Sequence, residues 1–130
     1  MKREILFRGK RADNREWVYG YLIGNNVIVG EVVDFDEDYF NTEFWYKVDP
    51  ETVGQFTGLT DKNGTKVFEG AIVRSYDDSE DELTNGVVVF NADFCSFCVS
   101  MKVHEDVMLV AHWQYEMIGN IYDNPELLKQ

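Results

Sequence analysis

The chain has 130 residues, 45% of them apolar and 15% aromatic, and carries a net charge of −12. Its three Trp, seven Tyr and nine Phe exclude a disordered acidic tail, and two cysteines and two prolines exclude a disulfide framework and Pro-rich or collagen-like arrays. No apolar run approaches the ~20 residues that span a bilayer, and Met1-Lys2-Arg3-Glu4 does not open a signal peptide, so a soluble cytoplasmic globular protein is expected.

The charge is unevenly placed. Residues 1–15 carry Lys2, Arg3, Arg8, Lys10, Arg11 and Arg15 against Glu4 and Asp13, a local +4 that leaves the rest at −16. Two acidic stretches hold much of the remainder, Asp34 to Asp38 and Asp77 to Glu82. A field of this sign repels phosphate backbones, so direct nucleic-acid binding is disfavoured. The basic arm is expected to pair with an acidic segment of this chain or of a neighbouring subunit.

From Trp17 onward the periodicity is two. Trp17, Tyr19, Tyr21 and Ile23 alternate with Val18, Gly20 and Leu22, a strand with one aromatic face. Asn25-Asn26 predicts a turn, and Val27 to Phe35 returns as the hairpin partner, with Asp34 to Asp38 as a loop. Phe44 to Val48 reads as a short aromatic strand stopped at Asp49-Pro50, and Val53 to Thr57 as another. Asn63-Gly64 predicts a hairpin turn with two positive φ angles, followed by Val67-Phe68, a bend at Glu69-Gly70, and a strand at Ala71-Ile72-Val73. Asn85-Gly86 ends the second acidic loop, and Val87 to Phe90 is apolar enough to be buried on both faces. Cys95, Phe97, Val99, Met101 and Val103 alternate with polar neighbours and are expected to face inward. Val107 to Val110 and Tyr115 to Ile118 supply the last strands, and Asn124-Pro125 caps a single C-terminal helical turn. The fold class is mainly β, short strands closing as a compact barrel or sandwich.

Chemical motifs are sparse. Cys95 and Cys98, with His104 and His112, offer four candidate zinc ligands, but residues i and i+3 of a strand point to opposite faces with Cα atoms roughly 10 Å apart, which forbids chelation or a disulfide by the two cysteines. Cys95 is read as core and Cys98 as facing the other way. Asp34, Asp36 and Asp38 match the start of a calcium loop, but Tyr39 stands where Gly is required and Trp45 where a bidentate Glu is required. No nucleophile elbow, Walker A sequence or dinucleotide fingerprint occurs. No catalytic, cofactor or metal residue is assigned, and an enzyme is not expected. The aromatic stripe reads as core or as the centre of a protein contact, where Tyr and Trp are enriched.

Three blocks resemble the YopX family of phage and prophage proteins: Arg3 to Arg11 with Glu16 to Tyr21; Val48 to Leu59 with Asp61 to Gly64 and Val67 to Gly70; and Ile118 to Tyr122 with Asn124 to Leu128. The chain departs from the family pattern at Ala71, where Asp is usual after Gly, and at Arg15, where Gly is common before Glu-Trp. The resemblance implies an all-β protein of phage or prophage origin with an SH3-like barrel in its C-terminal part, and brings no established activity. The organisation expected is an N-terminal β lobe over 1–48 and the barrel lobe over 49–130. The function expected is a non-enzymatic interaction or self-assembling module in the bacterial cytoplasm, its surface drawn from Arg8, Lys10, Arg11, Trp17, Tyr19, Tyr21 and Trp45. Its partner would be a second copy or a host or phage protein. The alternative is a nucleic-acid-related role, by acidic mimicry of DNA or weak binding through the basic arm.

Overall fold

A computed structural model describes residues 3–75, 84–101, 104–108 and 115–128, with backbone alone for Ser75, Thr84, Met101 and 104–108. The acidic segment 77–82, His112 and Val103 lie outside the described residues. Thirteen strands are described: β1 Phe7–Lys10, β2 Trp17–Ile23, β3 Val27–Val29, β4 Val32–Phe35, β5 Phe40–Thr42, β6 Trp45–Lys47, β7 Gly54–Thr60, β8 Lys66–Phe68, β9 Ala71–Ser75, β10 Thr84–Asn91, β11 Ser96–Met101, β12 His104–Met108 and β13 Tyr115–Asn120. Short 3-10 turns occupy Pro50–Thr52 and Pro125–Leu128. The fold is mainly β, as expected, and its pairing is antiparallel throughout the described ladders. The chain divides into two units, 1–56 and 57–130.

In the first unit the strands lie in the order β6-β3-β2-β1-β7. The order follows from two tight hairpins, β1–β2 and β2–β3, whose ladders put Arg8 opposite Tyr19 and Tyr21 opposite Val29. Close approach is built into β2: a Cβ on Gly20 would stand 2.2 Å from the Val29 carbonyl oxygen, so only glycine allows the two strands to meet there. The buried side chains of this unit are Ile28, Val29, Val48, Thr52, Phe56 and Arg8. Residues 49–56 are tied in by the Thr52 hydroxyl, which accepts from the Lys10 N–H, and by Gly54, paired with Arg8. Asp49 caps the first 3-10 turn by accepting from the Glu51 N–H, with Pro50 in first position.

The second unit opens with residues 57–60 of β7 beside β8, then builds a five-stranded sheet in the order β12-β11-β10-β9-β13. Its core is Val67, Ala71, Val73, Val88, Val99 and Tyr115, with Met117 packed against it. Each buried Val contributes about 1.5–3 kcal/mol of apolar transfer. Among the described residues the edge strands β12 and β13 do not pair with each other, so the sheet is open where a closed SH3-like barrel was expected. Ala71 is fully buried in this core.

Several local expectations need correction. The Asn63-Gly64 turn uses one positive φ, at Gly64, because the Gly64 N–H closes on the Asp61 carbonyl, which makes Lys62 and Asn63 the central residues and leaves the left-handed position to the glycine after them. The Asp61 carboxylate braces this loop. Its Oδ1 accepts from the N–H groups of Asn63 and Thr65, and its Oδ2 from that of Met117 on β13. Burial would raise the Asp61 pKa, but those three backbone N–H groups outweigh it and hold the carboxyl below its ordinary value. Asn85-Gly86 is not a turn but the interior of β10. Phe90 is exposed at the end of that strand, and only Val88 of the Val87–Phe90 run is fully buried.

The cysteines are exchanged relative to expectation. Cys95 sits in the β10–β11 turn with φ 50 and is exposed, whereas Cys98 on β11 is fully buried. The inward row is therefore not a simple odd-numbered one: Cys98 and Val99 are buried on opposite faces of the same strand. Strand alternation starts at Ser96, so the geometry invoked for the two sulfurs does not reach Cys95.

Candidate interaction surface

Register sorts the expected surface onto two faces of the first-unit sheet. On one face of β1 lie Phe7 and Gly9; a Cβ on Gly9 would meet Val48 and Ile28, which marks the core side. Arg8 and Lys10 therefore point the other way, opposite Tyr19 and Trp17 of β2. Tyr21 joins them by alternation, and through Val29 so does Trp45 of β6. Six of the seven expected residues thus share one face. Arg11 does not: alternation carries it to the core side, where its guanidinium lies 3.9 Å from the ring centroid of Tyr46.

The shared face is aromatic with cations on it. The Arg8 guanidinium stands 4.6 Å, and the Lys10 ammonium 5.5 Å, from the Trp17 ring centroid. Arg8 is only 5% exposed, so it underpins the face and does not present charge to a partner, contrary to its expected role. Tyr19 and Tyr21 are more than two-fifths exposed and Trp45 is 67% exposed. The Tyr21 hydroxyl donates to Glu31 at 2.7 Å; that bond and the charges of Glu31 and Glu4 push its pKa up.

Two further cations of the arm, Arg11 and Arg15, are held by local acids. Arg11 makes a bidentate pair with Asp13, at 2.9 and 2.7 Å, and Arg15 reaches Asp49 at 3.0 Å. The Arg11 bond pulls the Asp13 carboxyl below its ordinary pKa, and Arg15 with the Glu51 N–H does the same for Asp49. Both pairs are exposed, so solvent screening leaves each little net stabilising effect. Arg11 and Arg15 thus pair with acids close by in their own unit. Alternation splits its cations between two faces, so Arg8, Lys10 and Arg11 do not form one phosphate track.

One surface was missed. β3 and β6 continue outward as β4 and β5, keeping register from Val27↔Lys47 to Val32↔Thr42, with a bulge before Asp34↔Asn41 and Phe35↔Phe40. Gly30 and Glu31 are joined to Phe44 and Glu43 by backbone bonds of 3.0 and 2.9 Å, so 27–47 is one long hairpin. Its outer part exposes Val33, Phe35, Tyr39 and Phe40, Phe35 to 77%. The sequence reading assigned Asp34 to Asp38 to a loop; only 36–39 turn, and Asp36 closes the turn through Tyr39. The available signal was the alternating Val33-Asp34-Phe35 before the acids and Tyr39-Phe40 after them.

At the root of this ribbon Ala12, Asp13, Tyr46 and Lys47 line a shallow hollow of about 340 Å³. No nucleophile or acid–base dyad borders it. Among the described residues no group of three or more His, Cys, Asp or Glu is placed to hold a metal ion, and no helix is long and apolar enough to cross a membrane.

In sequence, no curated protein matches this chain. In structure it is similar to the crystal structure of protein EF1440 from Enterococcus faecalis, at 21% identity and a TM-score of 0.64, over 96% of this chain and 98% of that one. That likeness concerns the fold. The YopX protein family matches residues 6–129, nearly the whole length. The chain belongs to the YopX family.

Proposed function

We propose that this YopX protein is a non-enzymatic protein-interaction module that self-associates through the first unit, in the cytoplasm of a bacterium carrying a phage or prophage. The observation that carries this reading is the exposure, within 56 residues, of Tyr19, Tyr21, Trp45, Phe35, Tyr39 and Phe40. Aromatic residues are enriched at the centres of protein contacts, and Tyr and Trp carry much of the contact energy there. The hollow at the ribbon root offers a hydrophobic seat without reactive groups. A direct nucleic-acid role has less support, since the arm's cations are divided between faces or tied to Asp13 and Asp49.

The test is the mass in solution by multi-angle light scattering across a concentration series. The reading predicts a discrete multiple of 15.1 kDa and no retardation of DNA in a gel shift. A 15.1 kDa species at every concentration would remove self-association, and a salt-sensitive DNA complex would replace it with the nucleic-acid reading.

A further inference from the structure

The outer ribbon, β4 with β5, presents a two-stranded sheet on which every residue of β4 is exposed. An isolated two-stranded ribbon is marginal in water, and three or more strands or a packed face are needed for independent stability. Register shows which side lacks its cover. Ile28 pairs with Tyr46, Val32 with Thr42, and after the bulge Phe35 with Phe40, so these residues share the ribbon side that faces the core at its root. Phe44 continues the same side and stacks on Tyr46, ring centroids 5.4 Å apart. An apolar strip therefore runs out of the core along one side of the ribbon from Tyr46 to Phe40, six steps or about 20 Å at ~3.3 Å per residue.

Charge differs at the two ends of that strip. The turn carries Asp36, Glu37 and Asp38, and no Lys or Arg occurs from Glu31 to Phe44. At the root the Arg11 guanidinium over Tyr46 is neutralised by its pair with Asp13, which leaves Lys47 as the cation lining the hollow. Turning one ribbon end for end over another places each acidic turn at the other's Lys47. It also places each Phe35 at the other's hollow. A self-complementary patch of this kind closes on itself under twofold symmetry and does not propagate into fibres.

We infer that the ribbon is the dimerisation arm of this protein: two copies pack β4–β5 face to face, antiparallel, with Phe35 of each seated in the Ala12–Tyr46 hollow of the other. This rests on the self-association reading above and specifies its surface. The occupant is a second copy of this chain because the acidic turn and Lys47 carry opposite charge and the exposed Phe35 meets the partly apolar hollow. The opposite, Tyr19–Trp45 face is left outside the contact.

Light scattering on the full chain and three variants tests it. Phe35→Ser removes the knob, Ala12→Trp fills the hollow, and Tyr19→Ser alters the opposite face. All three positions are exposed, so the folded state is retained, checked by an unchanged circular dichroism spectrum. The expected result is twice 15.1 kDa for the native chain and for Tyr19→Ser, and 15.1 kDa for Phe35→Ser and Ala12→Trp. Native mass in both ribbon variants, with loss of association in Tyr19→Ser, overturns the ribbon and leaves self-association standing through the other face. A native chain that is itself 15.1 kDa overturns both.

Discussion

A single carboxylate, that of Asp61, accepts hydrogen bonds from backbone N–H groups on two separated segments, Asn63 and Thr65 in its own turn and Met117 on β13. Bonds to an ionised acceptor are the stronger kind, and removing the acceptor strands three donors at a mostly buried site. Asp61→Ala is expected to lower unfolding stability by about 3 kcal/mol in a denaturant titration. The linkage sign follows from the depressed pKa. The folded carboxyl titrates below the unfolded one, so the contribution is complete above about pH 4 and disappears as acid protonates the folded group. Asp61→Ala should therefore flatten the acid limb of the stability profile. Tyr115 acts at the other end of the scale: burial pushes its phenol up to about 12. Stability should fall as pH rises from about 10, where the unfolded phenol ionises first, and a Tyr115→Phe variant should lose that limb. Arg15 holds a left-handed backbone, φ 63, a conformation that favours glycine. Arg15→Gly removes about 1 kcal/mol of strain and loses an exposed pair to Asp49 worth less, so thermal unfolding should move slightly upward.

Among the elements, β2 and β3 depend on a contact invisible to hydropathy. Gly20→Ala would drive a methyl group into the Val29 carbonyl, parting the two strands, and is expected to cost about 3 kcal/mol by calorimetry. Period-two patterning located β2 residue for residue, since its alternation is long and its aromatic face is continuous. The C-terminal 3-10 turn was equally legible from Asn124-Pro125. Reading failed where local signals compete. Acidic residues at 34–38 look like a solvated loop, yet Asp34 and Phe35 extend a ribbon whose partner strand is five residues away. Asn85-Gly86 carries turn chemistry but is held extended by pairing with Arg74 and Val73 of β9. Cys95 belongs by alternation to β11, yet the turn needs a left-handed residue there and takes it out of the strand. The site was half legible for a related reason. Alternation names which residues share a face, whereas burial of Arg8 beneath Trp17 and exposure of Phe35 depend on where neighbouring strands end.

At the scale of the molecule, charge opposes association at long range while the ribbon favours it at contact. Two copies of net charge −12 repel over the ~30 Å Debye length of 0.01 M salt, but at 0.15 M the length is about 8 Å and only close pairs still act. Self-association should therefore tighten as salt rises from 0.01 to 0.15 M, whereas binding to a phosphate backbone would weaken. Sedimentation equilibrium of the native chain at about 0.15 M salt tests the central claim most directly. The account predicts a mass of twice 15.1 kDa; a mass of 15.1 kDa at every concentration loaded would contradict it.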